Sequence, residues 1–301
     1  MEKRSVATGA ARAKINLFLD VVGRREDGYH LIDGVMQSLA LSDRVDVRLT
    51  EQAGEISLTV KDGGDIPADG RNLAWRAAEA FLSESGLAAG VRIGLRKSIP
   101  AAGGLAGGSS DAACVLRLLN RLAGEHSLSQ EKLHRLAERL GADVPFCLES
   151  PDGAMRTEGI GTVLTPVPAL PDCTVMIANA GEGVPTPWAY ARLDALSPVP
   201  DIGGRAGAER MLAALRSGDL MQVAAACRNV FEAAVIPVRP RVSELKARML
   251  ESGALTAMMS GSGPSVFGLF EDRAAAAALC VALQNCGVAA FVTAPAQTEI
   301  G

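Results

Sequence analysis

The sequence has few histidines, few aromatic residues and no long apolar run, and each shortage excludes a class of protein. Its 301 residues include 3 histidines, and no two of them have the spacing of a zinc-binding motif. The longest uninterrupted apolar stretch, Ala274 to Leu283, is about half the ~20 residues that a membrane-spanning helix needs. The six cysteines form no Cys-x-x-Cys pair, so we expect reduced thiols and a soluble, cytoplasmic protein.

Apolar residues, by contrast, are abundant. They make up 48% of the chain, which is enough for a large core and excludes intrinsic disorder. The length corresponds to one large domain or two ordinary ones. The net charge of −4 gives no basic surface for a nucleic-acid backbone, although local donors could still bind a small anionic substrate.

Hydrophobic periodicity predicts strands and helices in mixed order. Strand patterns occupy residues 45–49, 56–60, 91–95, 174–178, 265–270 and 288–293. Helical patterns occupy 72–82, 133–140, 207–234, 239–252 and 274–285, and another helix follows the glycine cluster at 103–108. The Gly- and Pro-rich segment 151–171 indicates a junction between two halves, and prolines between 185 and 200 indicate a loop. Without regular βα alternation, the pattern favours an α+β fold.

A glycine-serine loop between Ile99 and Cys114 is the strongest local signal. It follows a strand pattern and opens a helix, and it contains four glycines and two serines. Small residues at a helix start expose backbone N–H groups, which suit a phosphate; the alternative is a tight turn with a helix cap. Ser109 stands where a Walker A loop would have lysine, and the Rossmann and nucleophile-elbow glycine spacings are missing.

Two polar clusters lie in the first thirty residues. Lys14 and Asn16 alternate with apolar residues, which puts both on the same face of a strand. That face is either a solvated edge or part of a site. The charged turn at 23–30 ends in Tyr29 and His30, which could form a hairpin loop or a clamp that stacks on a nucleobase.

A lone acid, Asp143, follows a helix-ending glycine in the apolar segment 141–147. A buried carboxylate needs a partner, so this residue either caps a turn or pairs with a cation. If Lys14 is that cation, the carboxylate stays ionised and able to accept a proton. A second glycine-serine segment, 259–265, joins two apolar runs and by itself indicates a turn.

Taken together, these segments resemble the GHMP kinase superfamily, which includes galactokinase, homoserine kinase and mevalonate kinase. The matching stretches, in family order, are 13–19, 23–30, 100–113, 141–147, 158–161 and 260–263. The resemblance implies a two-domain α+β fold: an N-terminal half like domain 2 of ribosomal protein S5, and a C-terminal α/β plait. The expected domains are residues 1–155, which bind ATP, and 156–301, with the active site between them.

The resemblance also implies an activity. The segments 23–30 and 141–147 point to the member that transfers the ATP γ-phosphoryl group to the 2-hydroxyl of 4-diphosphocytidyl-2-C-methyl-D-erythritol, in the non-mevalonate route to isopentenyl diphosphate. Magnesium would bridge the ATP phosphates without a dedicated protein site, with Ser110 the candidate protein ligand. No nucleic-acid or membrane partner is expected, and the protein would be a monomer or a weak homodimer.

Residue roles carried over from the family fall into three groups. Asp143 resembles the general base, and Lys14 its partner, which also stabilises developing charge. Asn16 would hold the acceptor alcohol, Tyr29 and His30 the cytosine, with Tyr190 stacking on its other face and Thr186 nearby. The residues expected at ATP are Lys97, Pro100, Ala101, Ala102, Gly103, Gly104, Leu105, Ala106, Gly107, Gly108, Ser109 and Ser110. Ala102 and Ala106 replace glycines of many members, and we expect little effect from the added methyl groups.

Two alternatives stay open. A kinase for another small alcohol, such as homoserine or mevalonate, would have no use for a base clamp at Tyr29 and His30. A non-catalytic RNA-binding module is suggested by the ribosomal-type fold, but the acidic balance and the 4% aromatic content argue against it.

Overall fold

The computed structural model describes residues 5–101, 103–196, 198 and 201–296. The chain forms two compact units. The first comprises Met1–Ala13, Leu41–Ala101 and Ala106–Pro151, and the second Lys14–Ala40, Ala102–Leu105 and Asp152–Gly301. The long strands β1 (Val6–Arg24) and β2 (His30–Thr50) contribute to both units. The domain boundary expected near residue 155 stays a prediction.

In the first unit, helices cover one face of a sheet. The strand order is β3-β4-β2-β1, with β3 (Ile56–Lys61) parallel to β4 (Gly90–Arg96) and β4 antiparallel to β2. Val47 lies opposite Ile93, and both are buried. The helices are α1 (Leu73–Ser85), α2 (Gly107–Leu122), α3 (Gln130–Leu140) and α4 (Val144–Glu149), with a 3-10 turn at Gly124–His126.

Local signals explain where these helices begin and end. Asn72 caps α1 by accepting a hydrogen bond from the N–H of Ala74, and Gly86 ends that helix with a left-handed φ of 64°. Ser129 caps α3 in the same way, through the N–H of Lys132. The strand and helix patterns predicted between residues 45 and 140 are confirmed.

The second unit contains two sheet regions. In the first, β8 (Arg228–Asn229) runs parallel to β1, β5 (Ala154–Gly159) pairs with β2, and β6 (Val163–Val167) pairs with β5. The other is an antiparallel sheet in the order β11-β7-β10-β9. Its strands are β7 (Thr174–Asn179), β9 (Thr256–Met259), β10 (Ser265–Phe270) and β11 (Ala290–Thr293).

Among the described residues, six helices belong to this unit, and four of them contribute side chains to a core that includes Met176, Leu245 and Phe270. The six are α5 (Thr186–Asp194), α6 (Gly204–Ser217), α7 (Leu220–Ala226), α8 (Glu232–Val235), α9 (Pro240–Glu251) and α10 (Arg273–Asn285), with a 3-10 turn at Ile236–Val238. The mixture of strands and helices confirms the α+β class. Among the described residues, no helix is long and apolar enough to cross a membrane.

The segment expected to contain the junction, 151–171, includes β5 and β6, because Gly159 and Gly161 form only the turn and Pro166 lies on an edge strand that needs no N–H on its open side. The junction itself stays a prediction. Two other expectations about this half were wrong. The proline-rich loop contains α5, since proline is tolerated in a first helical turn. The single helical pattern at 207–234 is broken after α6, where Gly218 has a φ of 69°.

Candidate active site

Lys14 and Asn16 lie side by side on β1, as the alternation predicted. The Nζ of Lys14 donates to the Oδ1 of Asn16 at 2.7 Å, and each residue is 3% exposed. The solvated-edge interpretation is therefore wrong. A buried ammonium is costly without polar partners, which makes this pair a candidate for charge stabilisation rather than a surface feature.

The middle of the glycine-serine loop packs on the second glycine-serine segment. The Ser260 hydroxyl donates to the carbonyl of Gly104 at 2.9 Å, and the N–H of Ser265 donates to the carbonyl of Gly103 at 3.2 Å. A Cβ on Gly104 would lie 2.1 Å from the Ser260 carbonyl oxygen, so only glycine fits. A Cβ on Gly261 would lie 3.5 Å from the Nζ of Lys14, which brings this segment beside the Lys14–Asn16 pair.

A buried amide that the sequence did not reveal fixes the second segment. The Nδ2 of Asn229 donates to the carbonyls of Met259 and Gly261 at 2.7 and 2.8 Å, and its Oδ1 accepts from the N–H of Phe231. Every hydrogen-bonding group of this side chain is thus directed at backbone. Asn229 lies in a strand of two residues, which is too short to leave a periodic pattern.

The end of the loop forms an uncapped helix start. Ala106 precedes α2 with a φ of 58°, and among the described residues no side chain caps the first turn. The first N–H groups of α2 are therefore open to an anion, as the phosphate-cradle interpretation requires. Ser110 is buried and its hydroxyl donates to the carbonyl of Arg12 at 2.7 Å, whereas Ser109 is half-buried.

The methyl group of Ala106 has a cost that the sequence did not indicate. A side chain in the left-handed region costs roughly 1–2 kcal/mol, and glycine avoids this at the expense of unfolded-state entropy. We expect Ala106→Gly to raise the free energy of unfolding by up to about 1 kcal/mol, measured by urea denaturation. Ala213→Gly, at an exposed position inside α6, should lower it by about 1 kcal/mol. A loss of stability in both variants would contradict the prediction.

The start of the loop adjoins a buried ion cluster that the sequence analysis missed. The Nζ of Lys97 contacts the carboxylates of both Asp43 and Asp111. Burial raises the pKa of the Asp111 carboxyl to about 7, although the Lys97 ammonium opposes this. Burial alone would lower the pKa of Lys97, but the two carboxylates raise it above its usual value. Pro100 and Ala101 follow in the turn, and Ala102 lies outside the described residues.

His30 and Tyr190, two of the residues predicted for the base clamp, belong to a cluster of rings. The rings of His30 and Tyr190 stack with centroids 4.4 Å apart and planes inclined by 19°. Tyr190 also meets Phe231 edge-on at 4.9 Å, and the Nε2 of His30 is hydrogen-bonded to Asp194 at 2.8 Å. Tyr29 is 63% exposed and so is available to a ligand. Phe231 and Asp194 are the members of this cluster that sequence reasoning missed.

Two further predicted residues stand in defined places. Thr186 is the first residue of α5, and its hydroxyl lies 3.2 Å from the Ser262 hydroxyl. This contact joins α5 to the second glycine-serine segment. Asp143 lies directly before α4 and is half-buried. It belongs to the first unit and Lys14 to the second, and their pairing stays a prediction.

The described residues offer open N–H groups for the phosphates of a nucleotide at the start of α2. They contain no group of three or more His, Cys, Asp or Glu side chains that could hold a metal ion. The Ser110 hydroxyl is buried and already bonded to backbone, while the open N–H groups of α2 suit phosphate oxygens. These groups would hold a nucleotide, whose phosphates would carry the ion.

Two family models and several relatives match this chain. Residues 72–150 match the model of the GHMP kinases N terminal domain, and residues 211–289 match the GHMP kinases C terminal model. A 4-diphosphocytidyl-2-C-methyl-D-erythritol kinase from Lachnospira eligens is 42% identical, covering 87% of this chain and 88% of that protein. One from Pelotomaculum thermopropionicum is also 42% identical, covering 89% and 90%.

Solved structures show the same fold. A crystal structure of 4-(cytidine 5'-diphospho)-2C-methyl-D-erythritol kinase superposes with a TM-score of 0.79 at 34% identity, covering 97% of this chain and all of that one. Homoserine kinase from Cytophaga hutchinsonii superposes at 0.77 with 20% identity, covering 99% and 97%, which is a likeness of fold. The fold and the glycine-serine loop therefore define a small-molecule kinase of the GHMP class. Within that class, the chain belongs to the family of 4-diphosphocytidyl-2-C-methyl-D-erythritol kinases.

Proposed function

We propose that the protein uses ATP to phosphorylate the 2-hydroxyl of 4-diphosphocytidyl-2-C-methyl-D-erythritol, giving the 2-phosphate and ADP. The reaction would serve the non-mevalonate route to isopentenyl diphosphate. The observation that carries the proposal is the buried Lys14–Asn16 pair beside Gly104 and Gly261. It supplies a fixed cation next to a glycine-serine loop, in a chain 42% identical to kinases of this name.

Each catalytic role follows from the chemistry of phosphoryl transfer. The transition state spreads negative charge over the transferred group, so a fixed ammonium such as Lys14 can stabilise it. Asp143 is the group that accepts the proton of the 2-hydroxyl. Asn16, whose Oδ1 accepts from Lys14, keeps its Nδ2 donors for the acceptor alcohol.

ATP would bind through the N–H groups of the loop from Gly103 to Ser110. The helix dipole of α2 adds roughly half a positive charge at its start, where Gly107 and Gly108 leave room for phosphate oxygens. Magnesium, when bound, would neutralise the charge of the phosphates and polarise the transferred group. We place the reaction in the cytoplasm, in a monomer or a weak homodimer with no nucleic-acid partner.

The cytosine would be recognised by Tyr29, His30 and Tyr190. We expect Tyr29→Ala to raise the KM for the cytidyl substrate by roughly 5- to 100-fold, because stacking on a base is worth ~1–3 kcal/mol. The KM for ATP should stay unchanged. Since Tyr29 is 63% exposed, its replacement should change the stability of the protein little. Steady-state kinetics can therefore measure the change in KM without interference from unfolding.

Tyr29→Phe is the matched control, since it keeps the ring and removes only the hydroxyl. It should retain most of the affinity that Tyr29→Ala loses. Equal increases in both KM values in Tyr29→Ala would instead give this tyrosine a structural role.

The deciding experiment for the function is ADP release from the purified protein with Mg-ATP, with and without the cytidyl substrate. We expect release that depends on this acceptor, with methylerythritol phosphate and homoserine inactive. Nucleotide binding without acceptor-dependent release would refute the substrate assignment and leave the kinase fold in place.

A further inference from the structure

Asp43 hydrogen-bonds to the segment that enters the glycine-serine loop. Its Oδ1 accepts from the backbone N–H groups of Ser98 and Ile99, at 2.5 and 2.9 Å. Its Oδ2 accepts from the Nζ of Lys97. The Asp43 side chain is fully buried, so these contacts operate away from solvent.

The same carboxylate lies against the segment that leaves the loop. A Cβ added to Gly107, the first residue of α2, would lie 3.7 Å from the Oδ2 of Asp43 and 3.2 Å from the Cγ2 of Ile99. Lys97 extends the connection into the helix, because its Nζ also donates to Asp111. One buried carboxylate thus joins both ends of the loop, and all of these residues belong to the first unit.

Stability alone does not explain this buried ion cluster. Two carboxylates share one ammonium, and among the described residues Asp111 Oδ1 is a buried oxygen without a hydrogen-bond partner. Buried charge clusters are often no more stable than apolar replacements, and fixing one specific geometry is a role they can serve instead. Here the geometry fixed is the separation between Ser98 and Gly107, which sets the span of the loop.

We propose that Asp43 is a positioning residue for ATP, which holds the two ends of the glycine-serine loop in the arrangement that receives the phosphates. The inference rests on the proposed function, since it requires ATP to bind at this loop. It also assigns Lys97, which was expected at ATP, to the bridge between Asp43 and Asp111. A misplacement of about 1 Å in such a loop can cost 10²-fold in rate.

The test compares Asp43→Ala and Asp43→Asn with the control Glu79→Gln, which changes an exposed carboxylate on α1 of the same unit to an amide. Asp43→Ala removes both bonds to the loop entry, and we expect the Kd for the non-hydrolysable analogue AMP-PNP and the KM for ATP to rise roughly 10- to 100-fold. The KM for the cytidyl substrate should change less than about twofold. Glu79→Gln keeps the Asp43–Lys97 pair and both backbone bonds, so its constants should stay near those of the wild type.

Asp43→Asn covers the case in which the alanine variant fails to fold. It keeps the size of the side chain but cannot accept from both the loop N–H groups and Lys97, so we expect a smaller rise in the same two constants. Thermal unfolding of each variant separates loss of fold from loss of nucleotide binding.

The possible outcomes separate the positioning role of Asp43 from the proposed kinase function. A folded Asp43 variant with wild-type Kd for AMP-PNP would overturn the positioning role alone. An equal rise in the KM values of ATP and the acceptor would overturn it too, because general loosening affects both substrates. If the wild-type protein bound no AMP-PNP, the proposed function itself would fail.

Discussion

Asp143→Asn is expected to lower kcat by about 10²–10⁴-fold, which is the usual contribution of a positioned general base. The amide has the shape of the carboxylate but cannot take the proton of the attacking 2-hydroxyl. The uncapped start of α2 is untouched by this change, so the Kd for AMP-PNP should stay at the wild-type value. Single-turnover assays with the cytidyl substrate would measure the chemical step directly.

Asp65→Asn is the matched control for this variant. Asp65 is an exposed carboxylate in the same unit, and its replacement makes the same chemical change at a surface position. Its kcat should remain within about twofold of the wild type, because Asp65 is an exposed surface residue and surface substitutions usually have small effects. Turnover by Asp143→Asn at a rate near that of this control would refute the assignment of the base.

The glycine-serine loop was predictable because its signal is local. Four glycines and two serines between a strand and a helix predict a loop and a helix start from composition and position alone, and α2 begins there. The Lys14–Asn16 pair was predictable in part: alternation indicated the shared face, but not its burial. Burial depends on which segments cover the strand, such as the one at Gly261, and that contact spans almost the whole chain.

The Asp43–Lys97 pair also has a signal in the sequence. Asp43 lies in phase with Val45 and Val47, which face the core, and Lys97 lies in phase with Ile93 and Leu95. Period-two alternation therefore puts one carboxylate and one ammonium on the same buried face. Because an unpaired buried charge is so costly, each of these side chains needs a polar or oppositely charged partner. Alternation does not identify that partner, because it does not show that β2 and β4 are neighbours.

Asn229 and Asp194 had no comparable signal. The partners of Asn229 are the backbone carbonyls of Met259 and Gly261. Every residue type has a backbone carbonyl, so no pattern in the sequence indicates this contact. Asp194 lies at the end of a helix that begins among prolines, and it meets His30 only because the chain returns after 164 residues. Contacts of this kind are set by topology, which hydrophobic periodicity does not encode.

The largest expected effect on stability concerns Asp33, which forms a two-bond ion pair with Arg156. The Nε and Nη2 of Arg156 donate to the two carboxylate oxygens at 3.0 and 2.7 Å, and Asp33 is 2% exposed. The hydrogen bonds that Arg156 donates to Asp33 raise the pKa of Arg156, which keeps the guanidinium charged. Asp33→Ala leaves that charge 13% exposed without its main partner, and we expect a loss of about 3–5 kcal/mol in the free energy of unfolding.

Glu209 provides the internal control for this prediction. It accepts a third bond from the same guanidinium at 2.7 Å but is 54% exposed, so Glu209→Ala should cost less than about 1 kcal/mol. The double variant Asp33→Leu with Arg156→Leu should recover most of the stability, because it removes both charges together. Chemical denaturation of these three variants would show whether the loss in free energy of unfolding depends on the burial of the carboxylate or on the ion pair itself. Equal losses for Asp33→Ala and Glu209→Ala would show that it is not burial, since the two carboxylates share one partner and differ mainly in exposure.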